Sequence, residues 1–242
     1  MPRVARIVIP GVPHHITQRG NNRQAVFFVD DDRRAYLDML AEQAERFRLS
    51  VLGYRLMDNH VHLVGVPAGE ESLAKAVGRT HFLYTQYLNR LHRRSGHLWQ
   101  NRFFSCALDE PHLWNALVYV ERNPVRARRV RAAWNYLWSS AAAHVGKSPA
   151  GEALDMGEWE AVWTARKWQE QLGRAEDAKE LARMRLSTHR GRPLGSDSFL
   201  SKLEHRLGRR LRALAVGRPR RQAEAKREPR RRRQARKAHN NG

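Results

Sequence analysis

Apolar positions in roughly the first 125 residues alternate between a two-residue and a 3.6-residue rhythm. His14-His15-Ile16-Thr17-Gln18-Arg19 reads as a short strand, closed by the turn-forming cluster Gly20-Asn21-Asn22. Asp30-Asp31-Asp32 loads the positive end of a helix whose inner stripe is Tyr36, Leu37, Leu40, Ala44 and Phe47. Val51 to Met57 predicts a strand, Asp58-Asn59 a tight turn, and His60 to Val66 the hairpin partner. Ser72 is expected to cap a second helix striped by Leu73, Val77, Thr80, Tyr84, Tyr87, Leu88 and Leu91. Phe103 to Asp109 predicts a fourth strand. Pro111 falls in the first turn of the following helix, where its missing N–H costs nothing. Pro124 disfavours a helical Asn123, so that helix is expected to end there, at an accessible place. The order β-α-β-β-α-β-α predicts an α+β protein built on a ferredoxin-like split-βαβ sheet with an added helix. Residues 126–190 read as a helical extension. Arg190 to Gly195 breaks the chain before a basic amphipathic helix over about Ser198 to Leu214.

Charge changes the picture. The 242 residues carry 45 Lys and Arg against 24 Asp and Glu, a net charge of +21. That excess points to a polyanion, nucleic acid ahead of an acidic membrane surface. Residues 209–242 hold 14 basic and 2 acidic residues, net +12, which leaves +9 on residues 1–208, so the body is basic too. The stretch Arg218 to Lys237 has almost no apolar residues and is expected to be a disordered arm for phosphates, or else a solubilising tail. With 41% hydrophobic residues the chain can bury a core. A single cysteine, Cys106, excludes an internal disulfide and a paired-cysteine metal knuckle. No apolar run approaches a membrane span, and Met1 to Ile7 turns polar too soon for a signal peptide, so a cytoplasmic, nucleoid-associated protein is expected.

Two short patterns could carry chemistry. In His60-Val61-His62 the strand period puts both imidazoles on one face, with Val61 and Leu63 on the other. Two imidazoles so spaced can close on one metal ion. A chance pair among 12 histidines is the plain alternative. In the helix after Pro111, Leu113, Leu117 and Val120 form the core stripe; Tyr119 lies off it and Asn123 sits one turn further on the same side. A tyrosine beside a metal site can act as a nucleophile, and an amide oxygen suits a hard cation such as Mg²⁺. The alternative for Tyr119 is a partly buried aromatic with a satisfied hydroxyl. Gly146-Lys147-Ser148 ends like a phosphate-binding loop, but Ala141 stands where that loop needs glycine. An RNA-recognition module lacks its aromatic-rich strand, and Phe103-Phe104 and Trp99 are expected to pack in the core.

Leu56 to Val64, containing Asp58-Asn59-His60-Val61-His62, resembles the histidine-hydrophobe-histidine (HUH) block of single-tyrosine transposases. Tyr119-Val120-Glu121-Arg122-Asn123-Pro124-Val125-Arg126-Ala127 resembles the tyrosine block of their REP-associated branch. Gln18 to Gln24 and Arg94 to Phe103 are similar to two further blocks of that branch, and the four occur in the right order within residues 1–145. Arg192-Pro193-Leu194-Gly195 and the basic helix after it resemble the C-terminal region. The resemblance implies a transposase domain over 1–145, a helical basic extension over 146–216 and an Arg-rich tail over 217–242. It also implies that His60 and His62 hold a divalent metal, Mg²⁺ or Mn²⁺, that Tyr119 attacks the phosphodiester, and that Asn123, where related enzymes can carry Gln, takes the third ligand position. The implied reaction is single-stranded DNA cleavage and strand transfer through a 5′-phosphotyrosine, on REP-type hairpins, by a monomer or homodimer with no nucleotide cofactor. Arg19, Asn21, Arg23, Arg102, Arg126, Arg209 and Arg210 are the expected DNA contacts. The alternatives are a catalytically silent nucleic-acid-binding protein on the same fold, or the transposase of a mobile insertion sequence.

Overall fold

The computed structural model describes residues 6–212. The Arg-rich tail expected to be disordered lies outside them. Four strands, β1 (His14–Arg19), β2 (Leu49–Met57), β3 (His60–Pro67) and β4 (Phe104–Ala107), form one sheet in the order β2-β3-β1-β4. All neighbours run antiparallel. With helices α1 (Asp30–Arg46) between β1 and β2 and α2 (Ser72–Leu91) between β3 and β4, this is the expected split-βαβ sheet. The added helix α3 (Glu110–Arg126) follows β4.

Strand alternation divides the side chains between two cores. Ile16, Tyr54, Leu56, Val61 and Leu63 face α1 and α2 and pack with Tyr36, Leu40, Val77, Tyr84 and Leu88. On the other face Leu52, Val64, Cys106 and Leu108 pack against Leu113, Leu117 and Val120 of α3. That second core continues into the extension, which holds α4 (Ala141–His144), α5 (Gly157–Glu160), α6 (Ala165–Gly173) and α7 (Ala178–Arg190). A buried polar cluster ties α3 to it: the Glu121 carboxylate accepts from Ser140 Oγ at 2.6 Å, His144 Nδ1 at 2.5 Å and Trp168 Nε1 at 2.8 Å. Leu194 then pairs in parallel with Leu108 beyond β4, and α8 (Asp197–Leu207) closes the described chain.

Four local expectations are corrected. Ser72 is the first residue of α2 rather than its cap, and its hydroxyl accepts from the upstream Gly69 N–H at 2.9 Å. Strand β4 is four residues, because only Phe104 to Ala107 find partners on β1. Helix α3 runs through Pro124 to Arg126. Proline removes one bond close to the C-terminus, where carbonyls lack helical partners in any case, and Pro124 is buried. Helix α8 stops at Gly208, whose φ of 60° closes it, so Arg209 and Arg210 lie beyond it. Within α8, Lys202 and Arg206 are balanced by Asp197 and Glu204, so it is not basic.

Candidate active site

The tight turn between β2 and β3 sets the register on which the site is built. Met57 pairs with His60 and Arg55 with His62, while β1 on the other side pairs Arg19 with His60 and Thr17 with His62. Residues paired across strands share a face, so Thr17, His62 and Arg55 form one row across the sheet. Asp58 in the turn is held by Arg33 at 2.6 Å and by Arg129. Helix α3 lies over this row. Gly53 lets it approach, for a Cβ at that position would come within 2.4 Å of Leu117 Cδ2.

Tyr119, Asn123, His60 and His62 thereby meet in one cavity of about 410 Å³, together with His15, Thr17, Arg19 and residues of α7. The ring centroid of Tyr119 lies 5.6 Å from that of His62 and 5.6 Å from that of His15. Tyr119 is only 4% exposed. Its ring is clasped by Arg126, 4.4 Å from the centroid, and Arg185 of α7, at 5.6 Å. Arg185 Nε donates to the phenol oxygen at 3.4 Å. Arg126 also donates to the Tyr119 carbonyl at 2.6 Å and pairs with Glu176.

The imidazoles are neutral. Burial, with Arg55 as the next cause, pushes His60 down to about 3 and His62 well below the ordinary value. Burial and Arg55 push His15 down to about 3 as well. Their hydrogen bonds assign the ring protons. His60 Nδ1 donates to Asn59 Oδ1 at 2.6 Å, leaving Nε2 to accept from Arg55 Nη1 at 3.1 Å. Thr17 Oγ1 donates to the Val61 carbonyl, so it accepts from His62 Nε2 at 3.4 Å. His62 Nδ1 then accepts from His15 Nε2 at 2.8 Å, and His15 Nδ1 accepts from the Thr188 hydroxyl at 2.8 Å.

These bonds bear on the expected metal ion. Both donor atoms it would need from His60 and Asn123 are engaged by one guanidinium, since Arg55 Nη1 also donates to Asn123 Oδ1 at 2.6 Å. A change of tautomer along Thr188, His15 and His62 would free a lone pair on His62, but not on the other two. An ion about 2.1 Å from Asn123 Oδ1 would lie within roughly 4.7 Å of Arg55 Nη1. There the two cations repel by roughly 7 kcal/mol at an effective dielectric of about 20. The cavity lining contains no carboxylate, and no cluster of three or more metal-ligating side chains occurs among the described residues. His60, His62 and Asn123 come together as expected, but in this arrangement they do not fit a divalent ion.

The expected DNA contacts separate into three groups. Arg19 lines the cavity. Asn21, Arg23 and Arg102 are exposed beside it, on segments that bond to one another: Gln100 N–H donates to the Arg19 carbonyl, Asn21 N–H to Leu98, and Asn59 Nδ2 to Arg23. Arg126 is committed to Tyr119 and Glu176, and Arg209 and Arg210 are exposed beyond α8 without lining the cavity. Trp99 and Phe103 are buried in the core as expected, while Phe104 is half-buried against His189. Reading by motif missed Arg55, His15, Thr17 and Arg185. Arg55 carried a signal, being the one charged residue in β2 and opposite His62 once the two-residue turn is drawn.

Residues 10–123 match the sequence family described as IS200-like transposases. Among solved structures, a REP-associated tyrosine transposase bound to a REP hairpin aligns at a TM-score of 0.52 and 18% identity, over 64% of this chain and 94% of that one. A transposase candidate from Deinococcus radiodurans R1 aligns at 0.35 and 20% identity, over 50% and 97%. A bacterial tRNA(His) guanylyltransferase-like protein in complex with GTP aligns at 0.37 and 9%, over 51% and 70%. No curated protein matches the chain.

Proposed function

We propose, from the match of residues 10–123 to the IS200-like transposase family, that this chain cuts and rejoins single-stranded DNA with Tyr119 as the nucleophile. The observation that carries the reading is the setting of the phenol. Tyr119 stands beside His62 in a cavity lined by Arg19 and Arg185 and by no carboxylate, a setting suited to a phosphodiester. In the proposed step the Tyr119 oxygen bonds to phosphorus and the bond from phosphorus to the 3′ oxygen breaks. The phenol proton is lost to solvent, the departing oxygen gains one, and a 5′-phosphotyrosine and a 3′-hydroxyl result. The ester keeps its activation, so a second 3′-hydroxyl can reverse the step, which is strand transfer. Arg185, already donating to the phenol oxygen, stabilises the charge that grows there.

The substrate we propose is a short imperfect palindrome of the REP type. The likeness in fold to a transposase bound to a REP hairpin supports this, as does the exposed basic corner of Arg19, Arg23 and Arg102 beside the cavity. Incubation with palindromic single-stranded oligonucleotides should give a covalent adduct on a denaturing gel. Tyr119→Phe should abolish it while leaving hairpin affinity within about twofold, because only the attacking oxygen is removed. An adduct that persists in that variant rejects Tyr119 as the nucleophile. The covering of Tyr119 by Arg126 and Arg185 favours a second reading, a silent DNA-binding protein on the same fold. Hairpin binding with no adduct under any condition is its signature.

A further inference from the structure

Arg55 is fully buried, and no carboxylate lies within 4 Å of it among the described residues. Its Nη1 holds Asn123 and His60, while Nε and Nη2 are buried with no hydrogen-bond partner. A buried cation without a counter-ion is costly, and here the cost persists although a neutral residue would fill the same strand position. An anion drawn into the adjoining cavity relieves it. Arg55 does not line that cavity; it lies behind His60 and Asn123, which do. Its charge therefore acts from beneath, through the two side chains that it orients.

We propose that the Arg55 guanidinium stands in this chain for the divalent cation, holding His60 and Asn123 and supplying positive charge beneath the bound phosphate, so that attack by Tyr119 needs no metal ion. The inference rests on the nucleophile reading above for its chemistry, but not for its binding geometry. The bonds made and broken are those already given, and no further reactant enters. Arg55 is a positioning residue: it sets the rotamers of Asn123 and His60 and keeps their donor atoms from a metal. A guanidinium can do this because it is planar, permanently charged and able to bond two acceptors from one edge.

The test reads metal binding and adduct formation separately, on the full chain. Mn²⁺ titration followed by electron paramagnetic resonance should find no stoichiometric site in the wild type at millimolar ion. Arg55→Met should gain one Mn²⁺ site, and adding His60→Ala should remove it. Adduct yield with a palindromic oligonucleotide should be the same within about twofold in EDTA and in Mg²⁺ for the wild type. Arg55→Met should lose at least about tenfold in EDTA and recover with Mn²⁺. A stoichiometric wild-type Mn²⁺ site that His60→Ala abolishes overturns the proposal, as does a wild-type adduct that EDTA removes and Mg²⁺ restores. Should Arg55→Met fail to fold, the two wild-type measurements still decide. If the wild type forms no adduct at all, the nucleophile reading fails, and the Mn²⁺ titration alone decides whether Arg55 occupies the cation position.

Discussion

At the scale of single residues, burial disfavours the charged form of histidines outside the cavity as well as within it. Burial pushes His81 down to about 3 in the core under α2, where its Nε2 meets the Tyr36 hydroxyl at 3.0 Å. Burial likewise pushes His14 down to about 4. Both groups bind protons more weakly folded than unfolded, so between about pH 6.5 and 4 the unfolded chain holds more protons. Their contribution is complete above about pH 6.5 and is lost as the pH falls toward the folded values. Each should remove on the order of 1.4 kcal/mol of stability per pH unit inside that window. The melting temperature should therefore fall between pH 7 and pH 5, before most carboxylates titrate. A melting temperature that holds steady over that range would mean that these imidazoles are not desolvated as the structure has them.

Between elements, the contact that matters most is that of α3 on β2. Tyr119 and Asn123 reach the histidines only because α3 lies close to the strand, and Gly53 permits it. The backbone there is not left-handed, so Gly53→Ala adds a methyl group and no conformational penalty of its own. That methyl would collide with Leu117, and overpacking of this kind costs about 1–3 kcal/mol. We expect Gly53→Ala to lower unfolding stability by that amount in urea and to reduce adduct yield by more than Leu117→Ala does. Relief of both defects in the Gly53→Ala, Leu117→Ala double variant would identify the collision as the cause. Wild-type stability and yield in Gly53→Ala would show that the spacing of α3 is not set here.

For the whole molecule, charge is the dominant property, and much of it sits at the C-terminus. Residues 217–242 hold 11 basic and 2 acidic residues, so a chain ending at Val216 falls from +21 to +12. Each phosphate neutralised on a single strand contributes about −0.7 to the slope of log affinity against log salt. If the removed residues engage about four phosphates, truncation should flatten the slope by about 3 units, equally for a hairpin and a scrambled strand. Cleavage at saturating DNA should survive, since Tyr119 and the histidines remain. Binding isotherms at several salt concentrations check this. An unchanged slope makes the tail a solubiliser, and a loss confined to the hairpin makes it a specificity element.

Local pattern determined the order of the elements, both faces of the β2–β3 hairpin, and the placing of Tyr119 and Asn123 on one side of α3. Each of these follows from a period of two or of 3.6, or from a turn of two residues. That α3 brings Tyr119 and Asn123 to His60 and His62 was decided by its packing on β2. The reach of α3 through Pro124, the end of α8 at Gly208 and the covering of Tyr119 by Arg185 belong to the tertiary structure, because burial and partners distant in sequence outweigh local preference. Arg55 stands between the two. Its place opposite His62 follows from the turn, but what its guanidinium bonds depends on Asn123, 68 residues away on a helix that crosses the strand. Periodicity places side chains on faces; only packing decides which donor reaches which acceptor, and here that difference separates a metal site from an arginine site.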